Sequence, residues 1–452
     1  MRINVLVAEI GSTTTVVNAF SHINTEAPIF LGQGQAPTTV LEGDVNIGLH
    51  GAMENLRKKL GLHTLAYDEM LATSSAAGGL KMTVHGLVYD MTVKAAKEAA
   101  LGAGAIIHHV TGGKLRKSDL NTIKDIKPNL ILIAGGVDFG ERDTALHNAE
   151  LIASMNDNTP VVYAGNIENQ EEICEIFENN NAKLYIVANV YPKIDQLNIE
   201  PTRKIIQDAF EDHIIHAPGM SKVRQLVTGP IIPTPGAVME ASKLLKSSIG
   251  DLVTIDVGGA TTDIHSVTDG SEEISRILMN PEPEAKRTVE GDLGVYVNMA
   301  NIVDRIGVEA LSKKLGHDVE KLMRIHKPIP DTPELISFVE ALTEEAVITA
   351  VNRHAGKLRN LYGPTGKKTM AEGKDLTNVK WIVGTGGALT RLPKRVALLK
   401  QLLAQNKGDT LLPNTDSKIL IDNFYIMASL GVLSKKYPES ALKLLKQSLS
   451  ME

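Results

Sequence analysis

Two carboxylates, two glycines and two threonines crowd the tip of one predicted hairpin, "LVTIDVGGATTDIHSVTDG", Leu252 to Gly270. Asp256 and Asp263 flank the turn, and Gly258, Gly259, Ala260 and Thr261 form it. Glycines let backbone N–H groups approach phosphate oxygens with no Cβ in the way. Hydroxyls add donors, and an acid at the rim can hold a hydrated Mg²⁺ or orient an attacking water. Alone, the pattern is also that of a capped structural hairpin.

The pattern recurs. "VLVAEIGSTTTVVNAF" near the N-terminus is again an apolar strand, an acid (Glu9), one residue, Gly11, then Ser12, Thr13, Thr14 and a second strand. Two such turns, opening two halves of one chain, predict facing turns across a cleft, which suits a nucleoside triphosphate with Mg²⁺. A third element, "VGTGGALTRLP", ends a strand in Gly384, Gly386 and Gly387 before a helix. Glycines there let the backbone lie flat against a purine; a plain strand-to-helix turn is the other reading. In "NFYIMASLGVL", Ala428 and Gly431 sit at helical spacing and suit close helix packing between the halves.

The elements around these turns set the architecture. Ile3–Glu9, "TTVVNAFS" and "APIFLGQGQ" read as three strands, followed by a helix capped by Asp44. "YDEMLATSSAAGG" reads as a further strand running into a small-residue loop. From about Thr92 strands and helices alternate ("AIIHHVTG", "NLILIAGG", "PVVYAGN", "KLYIVANVYP"), the rhythm of a parallel, doubly wound sheet. After "HAPGMS" a helix leads into the second hairpin, and the rest is mostly helical. A Gly- and Lys-rich loop, "GPTGKKTMAEGKD", is expected before the late strand. The expected division is 1–91 and 214–250 for the first lobe, 92–213 for an inserted α/β domain and 251–452 for the second lobe.

Composition narrows the function classes. A chain of 452 residues exceeds one ordinary core. Net charge −6 with interspersed signs offers no basic face for nucleic acid. Cys174 is the only cysteine, which excludes internal disulfides and fits a reducing cytoplasm. It is expected to be buried and inert. The N-terminal run lacks a signal-peptide cleavage pattern, and no apolar run reaches the roughly 18–20 residues of a membrane span. A cytoplasmic protein with no membrane or nucleic-acid partner is expected. His108 and His109 lack metal-ligand spacing and are expected in the core or an interface; Lys367, Lys368 and Lys374 are expected in solvent.

The order of the three motifs resembles the actin-like ATPase superfamily, which implies an α/β fold of two ribonuclease-H-like lobes binding ATP and Mg²⁺. More narrowly, "ATSSAAGGLKMTVHGLVYDMTVKAAKEAALGAGA", "KRTVEGDLGV" and "VGTGGALTRLP" are similar to the MutL/GlmL family encoded beside adenosylcobalamin-dependent glutamate mutase. The similarity runs over essentially the whole chain. It implies an ATP-dependent reactivating factor, or chaperone, for a cobalamin-dependent mutase or aminomutase whose subunits are its partners. Glu9, Asp256 and Asp263 would then be catalytic and metal-holding. Gly11, Ser12, Thr13, Thr14, Gly258, Gly259, Ala260, Thr261, Gly384, Gly386 and Gly387 would hold the nucleotide.

Two departures stand out. Glu9 occupies a position where the superfamily usually has Asp, and Ala260 replaces a glycine. A carboxylate displaced by about an ångström can cost on the order of 10²-fold in rate, so slow turnover, or binding without hydrolysis, is expected. The alternatives are a non-hydrolysing nucleotide-binding scaffold and a small-molecule kinase, for which no convincing substrate base is seen. The insert looks like the flavodoxin-like cobalamin domain of the mutases, but Asp-x-His-x-x-Gly is missing. The chain is compatible with a homodimer.

Overall fold

The computed structural model describes residues 2–39, 43–75, 80–178, 182–214, 220–363, 366–405 and 408–451. Its strands, in chain order, are β1 (Ile3–Ile10), β2 (Thr14–Ser21), β3 (Ile29–Pro37), β4 (Tyr67–Ser74), β5 (Lys81–Gly86), β6 (Ile106–Gly112), β7 (Leu130–Ile133), β8 (Val161–Tyr163), β9 (Leu184–Ile186) and β10 (Ile231–Pro233). They continue with β11 (Leu252–Val257), β12 (Thr262–Val267), β13 (Ala285–Glu290), β14 (Lys357–Gly363), β15 (Gly366–Glu372), β16 (Trp381–Thr385) and β17 (Lys418–Ile421).

Two of the sheets have one plan. The first runs β3-β2-β1-β4-β10, and the second β13-β12-β11-β16-β17. In each, three antiparallel strands are followed by two parallel ones, β4 and β10 or β16 and β17. This duplicated order defines two ribonuclease-H-like lobes, the actin-like fold. The runs "INVLVAEI" and "LVTIDV" are almost wholly buried, as befits central strands covered on both faces.

The third sheet, β6-β5-β7-β8-β9, is entirely parallel. Its order is second-first-third-fourth-fifth, a doubly wound unit. β5 belongs to this sheet although it precedes residue 92, so the α/β unit starts earlier than its expected boundary. "KMTVHG" follows a small-residue loop, and sequence spacing gives no sign of which sheet takes it. Residues 76–79 of the "SSAAGG" loop and 215–219, which take in the first four residues of "HAPGMS", lie outside the described residues.

The expected Gly/Lys-rich loop is a hairpin instead: β14 and β15 pair antiparallel. Its exposed strands carry Arg359, Lys367 and Lys368 with no apolar alternation to announce them. Lys374, expected in solvent, is only 3% exposed. Its ammonium donates to the carbonyls of Thr268 (2.8 Å), Pro283 (2.5 Å) and Glu284 (3.0 Å). Cys174 is exposed, because the helix Gln170–Glu178 turns Ile173 and Phe177 inward. His108 is exposed and His109 half-buried.

A core is shared by both lobes. Val5, Val7 and Leu71 of the first sheet join Ala237 and Ala241 of the helix Thr234–Ile249 and Leu430 and Leu433 of the helix Met427–Leu433. Gly431 lets these helices approach; a Cβ there would run into the Ala237 carbonyl. Among the described residues, no helix is long and apolar enough to cross a membrane.

Candidate functional site

The two turns close in the same way. Gly11 N–H donates to the Thr14 carbonyl at 3.0 Å, and Gly258 N–H to the Thr261 carbonyl at 2.9 Å. Registers match too: Glu9 lies opposite Val16, and Asp256 opposite Asp263, seven residues on in each case. The second turn is braced from outside. Gly258 accepts from Val295 N–H, Gly259 from Tyr296 and Val297 N–H, and Ala260 from the Asn298 amide. These donors follow directly on the "GDLG" of "KRTVEGDLGV". In the first turn, the Thr13 carbonyl accepts from Thr38 N–H at 3.0 Å, and Ser12 Oγ reaches the Ser75 carbonyl at 3.5 Å.

The carboxylates differ in how they are held. Asp263, 5% exposed, accepts Nε (3.0 Å) and Nη2 (2.7 Å) of buried Arg287 on Oδ1, and the Thr261 hydroxyl (2.9 Å) on Oδ2. Asp256 is half-buried and accepts no hydrogen bond from any described residue. Burial, then the charges of Asp263 and Glu9, push it up to about 7, against the pull of Arg287. Glu9 is likewise pushed up to about 7, chiefly by burial and further by Asp422, while hydrogen bonds from Ser429 oppose the rise.

Glu9 is also a bridge between lobes. Its Oε1 accepts the Ser429 hydroxyl (2.5 Å), the Ser429 N–H (3.0 Å) and the Asn18 amide (3.4 Å). A carboxylate at the N-terminal end of the helix Met427–Leu433 complements its free N–H groups. Asp422 takes the adjoining ones, from Ile426 and Met427, plus the hydroxyls of Thr385 and Ser448. Ser429, Asp422 and Arg287 were not legible as site residues. Ser429 lies 420 residues from Glu9 and Arg287 24 from Asp263, and Asp422 sits in no recognisable turn motif.

The glycine strand divides. Gly386, at φ +83°, has no room for a Cβ, which would strike Asp256 Oδ1 and the Val257 backbone. Gly387 faces open space. Gly384 is turned instead to Leu389, Leu399 and Ile421 and serves packing. Arg391, at the end of the helix Gly386–Arg391, reaches across to Gln35 of the first lobe at 2.9 Å and lies over the Tyr425 ring.

This arrangement is short of positive charge. The charges of Asp263, Glu9 and Asp422 raise the proton affinity of Asp256, and that of Asp422 raises Glu9, while Arg287 alone among the described residues pairs with any of the four acids. The donor set therefore fits a divalent cation. No three His, Cys, Asp or Glu side chains converge as direct ligands among the described residues. Mg²⁺ that keeps several waters and leans on phosphate oxygens matches that geometry.

The C-terminal edge of the doubly wound sheet carries exposed apolar side chains. Phe139 and Ile194, in the loops after β7 and β9, are 78% and 70% exposed, and Val88, Tyr89 and Ile167 are exposed beside the same edge. Phe139 is held at φ 62°, a costly conformation for a bulky residue. Asn166 accepts its N–H (3.1 Å), and Asp138 and Asn189 tie the neighbouring loops together.

Duplicated lobes and paired turns place the protein in the actin-like ATPase class. Its particular family follows from comparison: the family described as MutL protein matches residues 5–449, and the chain belongs to it. A Protein MutL of Clostridium tetanomorphum is 36% identical over 459 residues, covering 98% of either chain. Two solved structures are similar at 11% identity. Nucleotide-free acetone carboxylase has a TM-score of 0.42, over 96% of this chain and 70% of that one. Nucleotide-free diol dehydratase-reactivating factor has a TM-score of 0.37, over 97% and 100%. Likenesses this distant carry no argument about the site.

Proposed function

We propose that the chain is an ATP-dependent reactivating factor for an adenosylcobalamin-dependent mutase of the glutamate mutase or aminomutase type, acting in the cytoplasm. The observation that carries the nucleotide half is Asp256. An unpaired carboxylate, half-buried between two glycine turns and beside two further acids, calls for a cation. Gly11 to Thr14 and Gly258 to Thr261 would hold the phosphates, and Gly386 and Gly387 the base. Mg²⁺ would offset the charge developing on the transferred phosphoryl group. Asp256 would hold the hydrated ion, Asp263 would keep Arg287 in place, and Glu9, with a proton affinity near neutrality, would orient water.

The partner half rests on family membership and on the apolar edge around Phe139, which has the form of a docking surface. For ATP to drive release of a damaged cofactor, the two closure states must bind the mutase differently. Calorimetry with ADP·Mg²⁺ and ATP·Mg²⁺ tests the site: micromolar or tighter binding is expected, and Asp256→Ala should abolish phosphate release while the fold survives. Wild-type-like release from that variant refutes the assignment. Co-elution with purified mutase subunits tests the partner. A second reading, a nucleotide sensor that does not hydrolyse, is favoured by one contact: Glu9 Oε1 is already engaged by Ser429 and Asn18.

A further inference from the structure

The α/β unit touches the nucleotide-side acids through one buried arginine. Arg287 lies on β13, the edge strand of the second-lobe sheet. It stands opposite His265, two residues from Asp263 on the same face of β12. Its guanidinium is shared. Nε and Nη2 hold Asp263, while Nη1 donates to the carbonyls of Leu101 (3.0 Å) and Ala105 (3.4 Å). Leu101 lies in the last turn of the helix Lys94–Gly102, which connects β5 to β6 in the doubly wound unit, and Ala105 lies in the short link from that helix to β6.

The surrounding contacts make this junction stiff. Lys286, beside Arg287, bridges Glu98 of that helix (3.4 Å) and Glu282 (2.8 Å), and Lys94 pairs with Glu282 at 2.5 Å. Arg203, from the helix Glu200–Ile214, donates to the Ala285 carbonyl of β13 at 2.6 Å and to the Glu98 backbone carbonyl at 3.4 Å. Gly102 is a glycine because a Cβ would enter the Arg203 guanidinium. The helix end is thus clamped between β13 and its own unit, and a shift of Arg287 must be felt there.

We propose that Arg287 is a positioning residue that couples cation and nucleotide occupancy at Asp256 and Asp263 to the packing of the helix Lys94–Gly102, and so to the α/β unit. The inference rests on the nucleotide reading above. A divalent cation beside Asp263 competes for the carboxylate that anchors Arg287 and repels the guanidinium. The remaining acceptors of Arg287 are the carbonyls of Leu101, in the last helical turn, and Ala105, in the link to β6, so displacement loosens that turn and the link. By linkage, whatever fixes that helix end alters nucleotide affinity by the same factor.

Hydrogen exchange on the full chain, with and without ADP·Mg²⁺, tests this. Ligand binding slows exchange in most of a protein; here the amides of 99–105 should exchange about tenfold faster, within the 5- to 150-fold range of ordinary couplings. Arg287→Lys keeps the charge but loses the fork, and should bind nucleotide with no acceleration in 99–105. Asp263→Asn removes the anchor and should show fast exchange in 99–105 with or without nucleotide. Binding without a change in 99–105, or an equal response in Arg287→Lys, overturns the coupling and leaves the nucleotide reading standing. Failure of the wild-type chain to bind nucleotide overturns both.

Discussion

Replacing Glu9 by Gln should stabilise the ligand-free protein, and only at alkaline pH. Glu9 is 6% exposed, and its neighbours include Asp256, Asp422 and the Tyr425 ring, with Ser429 and Asn18 as donors. An acid whose folded proton affinity is raised contributes stability below its unfolded pKa and loses it as pH climbs through the folded one. From an ordinary 4.5 to about 7, the loss is about 3 kcal/mol by pH 8.5. Glutamine keeps an acceptor for the Ser429 hydroxyl and carries no charge, so it avoids that loss.

Urea unfolding at pH 5 and pH 8.5, followed by fluorescence of Trp381, measures it. Trp381 is the only tryptophan and packs against the core shared by both lobes. Near pH 5 the two proteins should differ by less than ~1 kcal/mol, since Glu9 is then protonated. Near pH 8.5 the variant should gain about 3 kcal/mol, while its affinity for Mg²⁺ and nucleotide falls. A stability difference independent of pH, or a loss at pH 8.5, refutes the account of Glu9 as a buried acid awaiting a cation.

Three further outcomes are expected. Glu9→Asp should raise phosphate release, by up to ~10²-fold, because the shorter carboxylate lets go of Ser429; a fall in rate would mean that Ser429 and Asn18 form a shell built for Glu. Gly431→Ala forces a Cβ against the Ala237 carbonyl and should cost about 1–3 kcal/mol in the same urea experiment, an unchanged midpoint counting against close packing of those helices. Phe139→Asp should weaken co-elution with mutase subunits by about 2 kcal/mol or more with nucleotide affinity intact, and undiminished association would move the partner surface elsewhere.

Sequence pattern carried the parts that repeat and missed those that depend on partners. Glycine turns are visible because their chemistry is local, and two of them at matched positions exposed the two-lobed plan. Glu9–Ser429 and Arg287–Leu101 join residues 420 and 186 positions apart, which no periodicity records. Lys374 illustrates the same limit. A lysine in a Gly/Lys-rich stretch reads as solvated, and only the fold reveals three carbonyls converging on it. The hairpin β14–β15 escaped for the opposite reason: it is exposed, so its strands need no alternation of apolar residues.

The arrangement of charge also explains why closure of such a cleft should depend on its ligand. Glu9 comes from the first lobe and Asp256 from the second, and the charge of Glu9 raises the proton affinity of Asp256. Without a cation, approach of the lobes at neutral pH buries mutually repelling acids. With one, the same carboxylates become its partners, so the sign of the interaction reverses. Moving a population from 1:99 to 99:1 takes about 5.5 kcal/mol. The penalty for ionising Glu9, set chiefly by its burial, is about 3 kcal/mol, so a cation that relieves it supplies a share of that difference. Arg287 then determines where the switch is felt, because the acid it holds stands directly across the turn from Asp256, and its other hand is on the α/β unit.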